Sequence, residues 1–390
     1  MPPHVHVEPQ HGGAPDAPLR FALFSHSLVS DWNNGNAHFL RGLIVALQEA
    51  GHEALAFEPW INWSTEHLVS TAGAAAILGF AQRFPTIQPR FYQPPASGEV
   101  RDWLDLLEGA LDGVDVLIIH EWNPPGLVRA AGLLAGQGGP LILFHDTHYR
   151  AVTEDELWET LGLPAYDAVL AFSPALPPVY RDRYDVERAV VFHEAADTHV
   201  FQPQPPPPGG PLWDVVFVGN WGDDDRAAAM RDYLFEAAAA LPRHRFLLHG
   251  VRYTPQVLAT LARSGIRYGD WIANTATPQL YAATRLAVHI PRQPYLDLLP
   301  GTPTIRVFEA LACGAALVSL PWDDTDGLFS AGDDYVEARS PTEMRQLIVE
   351  LCADDARRTA IAAHGLATVR ARHTCAHRAA QLVRLVSALR

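Results

Sequence analysis

The sequence predicts an α/β protein made of two doubly wound, Rossmann-like halves. Three observations carry that expectation. Short apolar runs alternate with stretches that repeat apolar residues at helical spacing, which is the order of a parallel sheet with crossover helices. A proline-rich run, QPQPPPPGGP (202–211), breaks the composition near the middle of the chain. Beyond it the alternation restarts at WDVVFVGNWGDD (213–224).

Composition bounds the function. At 390 residues, with 48% hydrophobic and 19% charged residues, the chain suffices for two globular domains with sizeable cores. A net charge of −15 argues against nucleic acid or an anionic membrane surface as the main partner. No apolar run reaches membrane-spanning length. The 3 cysteines (Cys313, Cys352, Cys375) have no metal-ligand spacing and are too few for a disulfide framework. A reducing, cytoplasmic location is therefore expected. Residues 1–18 have neither the basic nor the apolar region of a signal peptide, and read as a disordered leader whose His4, His6 and His11 stand among Pro and Gly.

In chain order, LRFALFS (19–25) reads as the first strand, and 36–50 as a helix with Phe39, Leu40, Leu43, Ile44 and Leu47 on one face. Gly51-His52 stops that helix before the strand EALAFEP (53–59). The turn between first strand and helix is rich in Asn, Gly and Ser, and lies where open parallel sheets bind ligands. Asn34, Gly35 and Asn36 are its candidate site residues. The strands DVLIIHEW (115–122) and PLILFHDTHY (140–149) deliver His120 with Glu121, and His145 with Asp146 and His148, to one sheet edge. Apolar strands that stop at His-acid pairs are not what core packing alone requires. Trp122 and the residues after it are candidates for an acceptor wall. A further strand, AVLAFSP (168–174), and a short helix lead to AVVFHEAADTHVFQP (189–203). In the second half, a strand at 213–218, a Gly219-Asn220 turn and a helix over 226–241 are followed by RFLLHG (245–250) and a helix near 256–263. Three helical stretches fill the tail from Pro341. Residues 300–319 begin in a Pro/Gly turn, continue as a helix with Ile305, Phe308, Leu311 and Ala312 on one face, and end in a buried strand. A helix start after such a turn suits an anion, and Glu309 could accept hydrogen bonds from paired sugar hydroxyls.

The segment PTIRVFEALACGAALVS (303–319) resembles the donor-binding segment of GT-B glycosyltransferases. It is most similar to the CgeB-type, spore-maturation glycosyltransferase-like group, and more distantly to the family-4 retaining glycosyltransferases, whose segment reads EGFGLxxLEAMACGxPVV. The resemblance implies a GT-B fold: an acceptor-side domain over 19–202, a linker over 203–211, a nucleotide-sugar domain over 212–375, and a last helix, 376–390, crossing back to the first domain. It places Thr304 and Ile305 at the donor diphosphate, Glu309 at the ribose, and Trp271 and Ile272 near the nucleobase. His145 aligns with a histidine beside the donor sugar, with His148 as fallback. Asp197, Phe201 and Pro203 match the crossing between domains.

Two departures stand out. The retaining family's first Glu is Gly301 here, and its arginine after the first strand of the second domain is Asn220. Arg226, Arg292 and Arg306 are the cations that could compensate at the diphosphate. The expected activity is transfer of a sugar from a nucleotide diphosphate sugar, such as a UDP-sugar, to a small-molecule, glycan or protein acceptor. No cofactor or metal ligand set is expected. Retention by front-face attack, aided by His145, is the favoured course, and inversion with Glu121, Asp146 or His148 as base remains open. A GT-B-fold sugar-nucleotide epimerase and a catalytically silent sugar-nucleotide-binding protein are the alternatives. Oligomeric state is not read from the sequence.

Overall fold

A computed structural model describes residues 17–222 and 224–390. The three leader histidines and Asp223 lie outside the described residues. Seven strands form the first sheet: β1 (Arg20–Phe24), β2 (Glu53–Pro59), β3 (Arg90–Tyr92), β4 (Val116–His120), β5 (Leu141–Asp146), β6 (Ala168–Ala171) and β7 (Ala189–Val191). Six form the second: β8 (Trp213–Val218), β9 (Phe246–His249), β10 (Ile266–Tyr268), β11 (Thr284–His289), β12 (Ala316–Ser319) and β13 (Val336–Glu337). Every pairing within the two sheets is parallel, in the orders β3-β2-β1-β4-β5-β6-β7 and β10-β9-β8-β11-β12-β13. The α/β architecture expected from the sequence is therefore what forms, and its apolar strands are buried on both faces as parallel sheets require.

The strand order fixes where a ligand can sit. It reverses between β1 and β4 in the first sheet and between β8 and β11 in the second. Crevices open beyond the carboxyl ends of the strands at such reversals. The loops after β1, β4, β8 and β11 meet there, and they hold most of the candidate residues.

Between β2 and β4 the structure adds the helices Trp63–Ala72, Ala75–Arg83 and Val100–Ala110, together with edge strand β3. None of these was expected from the sequence. The helix expected over 226–241 runs from Ala227 to Ala240 but is wound more widely, with π geometry, over Met230–Phe235. The last helix, Cys375–Leu389, lies on the helix Ala37–Glu49 and buries Leu382 and Val386. Gly42 lets the two backbones approach: a Cβ there would stand 2.6 Å from the Asp197 Cβ and 2.5 Å from the Cys375 Sγ. Arg378 Nε donates to the His193 carbonyl at 2.8 Å, and Gln381 Nε2 to the Val191 carbonyl at 2.9 Å.

Candidate functional site

The loop after β1 lacks a glycine pair and is shaped by buried side chains instead. Glu58, at the end of β2, accepts the backbone N–H groups of Leu28 and Val29. Burial pushes its carboxyl up to about 7, against the pull of those two bonds and of Arg41. Arg41 donates to the Leu28 carbonyl at 2.6 Å and the Val29 carbonyl at 3.2 Å, and pairs with Asp31 at 3.3 Å. Asn34, expected as a ligand contact, is turned inward, donating to the carbonyls of Ser27 and Ser30 at 3.0 and 3.3 Å. It braces the loop. Gly35 faces Arg306 across the cleft, its Cβ position 3.5 Å from that guanidinium. Asn36 Nδ2 reaches the Thr147 hydroxyl at 2.6 Å.

Thr147, which sequence reasoning did not single out, is the hub at the ends of β4 and β5. Its hydroxyl donates to Glu121 Oε1 at 3.0 Å and accepts from Asn36, so His120 Nε2, 3.1 Å away, is left as a donor. Glu121 and Asp146 stand side by side. Burial, then the Asp146 charge, pushes the Glu121 carboxyl well above its usual range. Burial likewise pushes Asp146 up to about 7, although the Tyr180 hydroxyl donates to it at 2.5 Å. Two carboxyls held this close share protons as a unit.

His120 and His145 are register partners on adjacent strands, their rings 5.5 Å apart. His145 lies deeper than its place at a strand end suggests. It is 1% exposed and packed against Phe39 and Phe192, with neither ring nitrogen hydrogen-bonded among the described residues. Burial holds its pKa down to about 3, so the imidazole is neutral. His148 is half-buried on the cleft side, tilted against Tyr149 at 4.0 Å and facing Trp122 at 5.3 Å.

The Glu121–Asp146 pair gives a pH prediction. A carboxyl whose folded pKa is raised contributes stability below its unfolded pKa, and that contribution is lost as pH rises through the folded value. Between about pH 4 and pH 7, Asp146→Asn should therefore gain stability relative to the native chain. Unfolding midpoints of both proteins over a pH series check this, and parallel curves would contradict it.

On the opposing side, β8 ends in Gly219 and Asn220. A Cβ on Gly219 would lie 2.7 Å from the Arg226 guanidinium. Asn220 is fully engaged: Nδ2 donates to Asn33 Oδ1 at 2.6 Å across the cleft, and Oδ1 accepts the Val251 N–H at 3.0 Å. Arg292 pairs with Asp225 at 2.9 Å and lies 3.3 Å from the Tyr149 hydroxyl, again bridging the halves. Arg226 differs from both. Its buried Nε has no hydrogen-bond partner, and burial followed by the nearby Arg292 charge lowers its pKa to about 10. A half-buried guanidinium with no contacting carboxylate among the described residues is suited to an anion.

The helix Ile305–Ala312 starts at Thr304, whose hydroxyl lies 2.9 Å from His289 Nε2; His289 Nδ1 lies 2.8 Å from the Ser319 hydroxyl. Glu309 corrects a second expectation. A partly exposed carboxylate was expected, but it is 0% exposed, paired with Arg306 on its own helix and 2.8 Å from His38 Nδ1 on the helix Ala37–Glu49. The His38 approach lies off the hydrogen-bonding direction. Burial opposes its charge, but Arg306 and His38 together hold the carboxyl below its usual range. Arg306 is thus committed to Glu309. Trp271 and Ile272 are half-buried in the loop after β10; the Trp271 indole N–H has no partner, and Ile272 packs on the core. Gly301 has φ of 84°, a left-handed conformation in which a Glu would be strained, and a Cβ there would meet Thr325 Oγ1 at 2.7 Å.

Beside Glu121 and Trp122 the first half contains a cavity of about 370 Å³ running back to Trp158 and Leu161. No group of three His, Cys, Asp or Glu side chains suited to a metal occurs among the described residues, and none of their helices is long and apolar enough to cross a membrane.

Comparison with known proteins finds the same fold. Residues 231–384 match the family model described as glycosyl transferase-like. A sucrose-phosphate synthase from Thermosynechococcus elongatus superposes with a TM-score of 0.69 at 16% identity, covering 95% of this chain and 99% of that one. Anabaena HepE, solved with UDP and glucose, superposes with a TM-score of 0.68 at 14% identity, covering 95% and 99%. A glycosyltransferase from Rickettsia africae gives 0.66 at 12%, covering 95% and 98%. No protein with a curated description matches the chain.

Proposed function

We propose, from the GT-B fold and the match of residues 231–384 to a glycosyl transferase-like family model, that the chain transfers a sugar from a nucleotide diphosphate sugar to a hydroxyl acceptor. Arg226 carries the reading. The diphosphate would lie between the Gly219-Asn220 loop and the start of the helix Ile305–Ala312, where the helix dipole favours an anion. Arg226 would meet its charge with a guanidinium whose Nε has no hydrogen-bond partner among the described residues, and Arg292 would add a second. These cations, rather than a metal, would stabilise the departing diphosphate. UDP is the first nucleotide to try, because the similar HepE structure holds it.

Front-face attack with retention leaves the proton to the donor phosphate and asks no carboxylate to attack. The Glu121–Asp146 pair favours a second course, inversion, in which one carboxyl of the pair takes the acceptor proton. The anomeric configuration of the product, read by NMR, separates the two.

Arg226→Ala should weaken UDP binding by roughly ten- to a hundredfold, the effect of losing one charge-assisted contact, and leave uridine binding unchanged. Calorimetric titration with both ligands checks this. Equal loss for uridine and UDP would mean that Arg226 supports the loop and meets no phosphate.

A further inference from the structure

We propose that the cavity beside Glu121 receives a neutral, planar, hydroxyl-bearing ring compound as the acceptor, in preference to a phosphorylated or sugar acceptor. This rests on the transfer reading above, and it assigns the acceptor class.

The walls decide it. Ten of the fifteen lining residues are Pro, Ile, Leu or Trp. Trp63 and Trp122 stand at the mouth, 39% and 38% exposed, and Trp158 lies at the back, 1% exposed. The Trp63 ring stacks on His26 at 5.5 Å with 11° between planes, and Trp122 tilts against the same imidazole at 6.3 Å. The exposed faces of Trp63 and Trp122 suit a flat, apolar ligand, and the volume lies in the range of small-molecule sites.

The polar lining is sparse, and part of it is already engaged. Asn123 Nδ2 donates to the Phe24 and His120 carbonyls at 2.8 and 2.7 Å. Arg150 pairs with Glu154 at 2.8 Å and lies between the Trp122 and Trp158 rings, 4.5 and 4.9 Å away. Among the described residues lining the cavity no uncommitted cation occurs, so a phosphate or carboxylate would be desolvated without compensation. A sugar brings a hydroxyl on nearly every carbon, far more than this lining can satisfy. Three lining residues do hold buried polar atoms without partners: Glu121 Oε2, Asn62 Nδ2 and the His26 ring nitrogens. That number fits one or two hydroxyls.

Two chains of contacts lead from the cavity wall toward the proposed donor site. Glu121 binds Thr147, which holds Asn36 next to Gly35 and Arg306. Trp122 faces His148, which lies on Tyr149, and the Tyr149 hydroxyl donates to Asp225 beside Arg292 at 2.7 Å. A hydroxyl held at Glu121 would stand at the seam of the two halves.

The test uses the full chain without nucleotide. Tryptophan emission is titrated with 2-naphthol, maltose and glucose 6-phosphate, for the native chain and for Trp63→Ala. UDP titration of the same samples reports separately on the donor site and on folding. Saturable quenching by 2-naphthol alone is expected, weakened roughly tenfold or more in Trp63→Ala with UDP affinity retained. Saturable binding of maltose or glucose 6-phosphate, no saturable binding of 2-naphthol, or unchanged 2-naphthol affinity in Trp63→Ala would overturn the assignment. A chain that binds 2-naphthol but not UDP would contradict the donor reading and leave the cavity assignment standing.

Discussion

Glu309→Ala should lower the stability of the chain by about 3–5 kcal/mol, the cost of breaking a buried ion pair by removing one partner. The carboxylate is 0% exposed, paired with Arg306 on its own helix and in contact with His38 from the facing half. Removing it strands the Arg306 guanidinium and takes away a link between the halves. Arg306→Met together with Glu309→Ala should recover part of the loss, because no unpaired charge is then left in the core. Denaturant unfolding of the three proteins measures this. A single variant as stable as the native chain, with weakened nucleotide binding, would return Glu309 to the ribose-contact role that its sequence position suggested.

His145→Phe should reduce turnover by roughly 10²–10³, the range for losing one preorganised donor, while holding or raising stability. Its surroundings, Phe39 and Phe192, already accept a ring. Both its nitrogens are buried and unpartnered, at a cost of about 1–3 kcal/mol for each unmet group. Packing gives no reason to keep them. A neutral imidazole, with its pKa near 3, can donate a hydrogen bond but not shuttle a proton at neutral pH, so the loss should be independent of pH above about 5. Steady-state rates of the native chain and the Phe variant at several pH values check this. Full turnover in a folded His145→Phe would make the histidine a packing residue.

What the sequence disclosed follows from how each element is buried. Strands such as Val116–His120 and Leu141–Asp146 are covered on both faces, so they read as unbroken apolar runs. The helix Ile305–Ala312 carries seven buried residues and a clear face. The helices Trp63–Ala72 and Ala75–Arg83 bury only Ser64 and Leu68, and Phe80, and so leave no periodic signal. Residue types also pointed to the right sheet edges, since His120, Glu121, His145 and Asp146 do gather at the ends of β4 and β5. Their partners were not legible. Thr147 is an ordinary residue in sequence, and only the pairing of β4 with β5 brings its hydroxyl to Glu121, His120 and Asn36. The commitment of Asn220 to Asn33 spans 187 positions, and no local pattern encodes it. Those of Asn34 to loop carbonyls and of Arg306 to Glu309 span only 3 to 7 positions, but the folded loop and helix set which partner each side chain takes. Arg226 was found by proximity to the strand end, and its lack of a partner is visible only in three dimensions.

The central claim is transfer from a nucleotide diphosphate sugar, and it is tested most directly by incubating the chain with a panel of such sugars, with and without 2-naphthol, and resolving products by mass spectrometry. Release of nucleoside diphosphate from one donor is expected, with a sugar adduct on the acceptor when it is present and loss of both in Arg226→Ala. Tight donor binding with neither hydrolysis nor adduct would contradict it and indicate a silent binding protein. Conversion of the donor into an isomeric sugar nucleotide without acceptor would contradict it in favour of an epimerase.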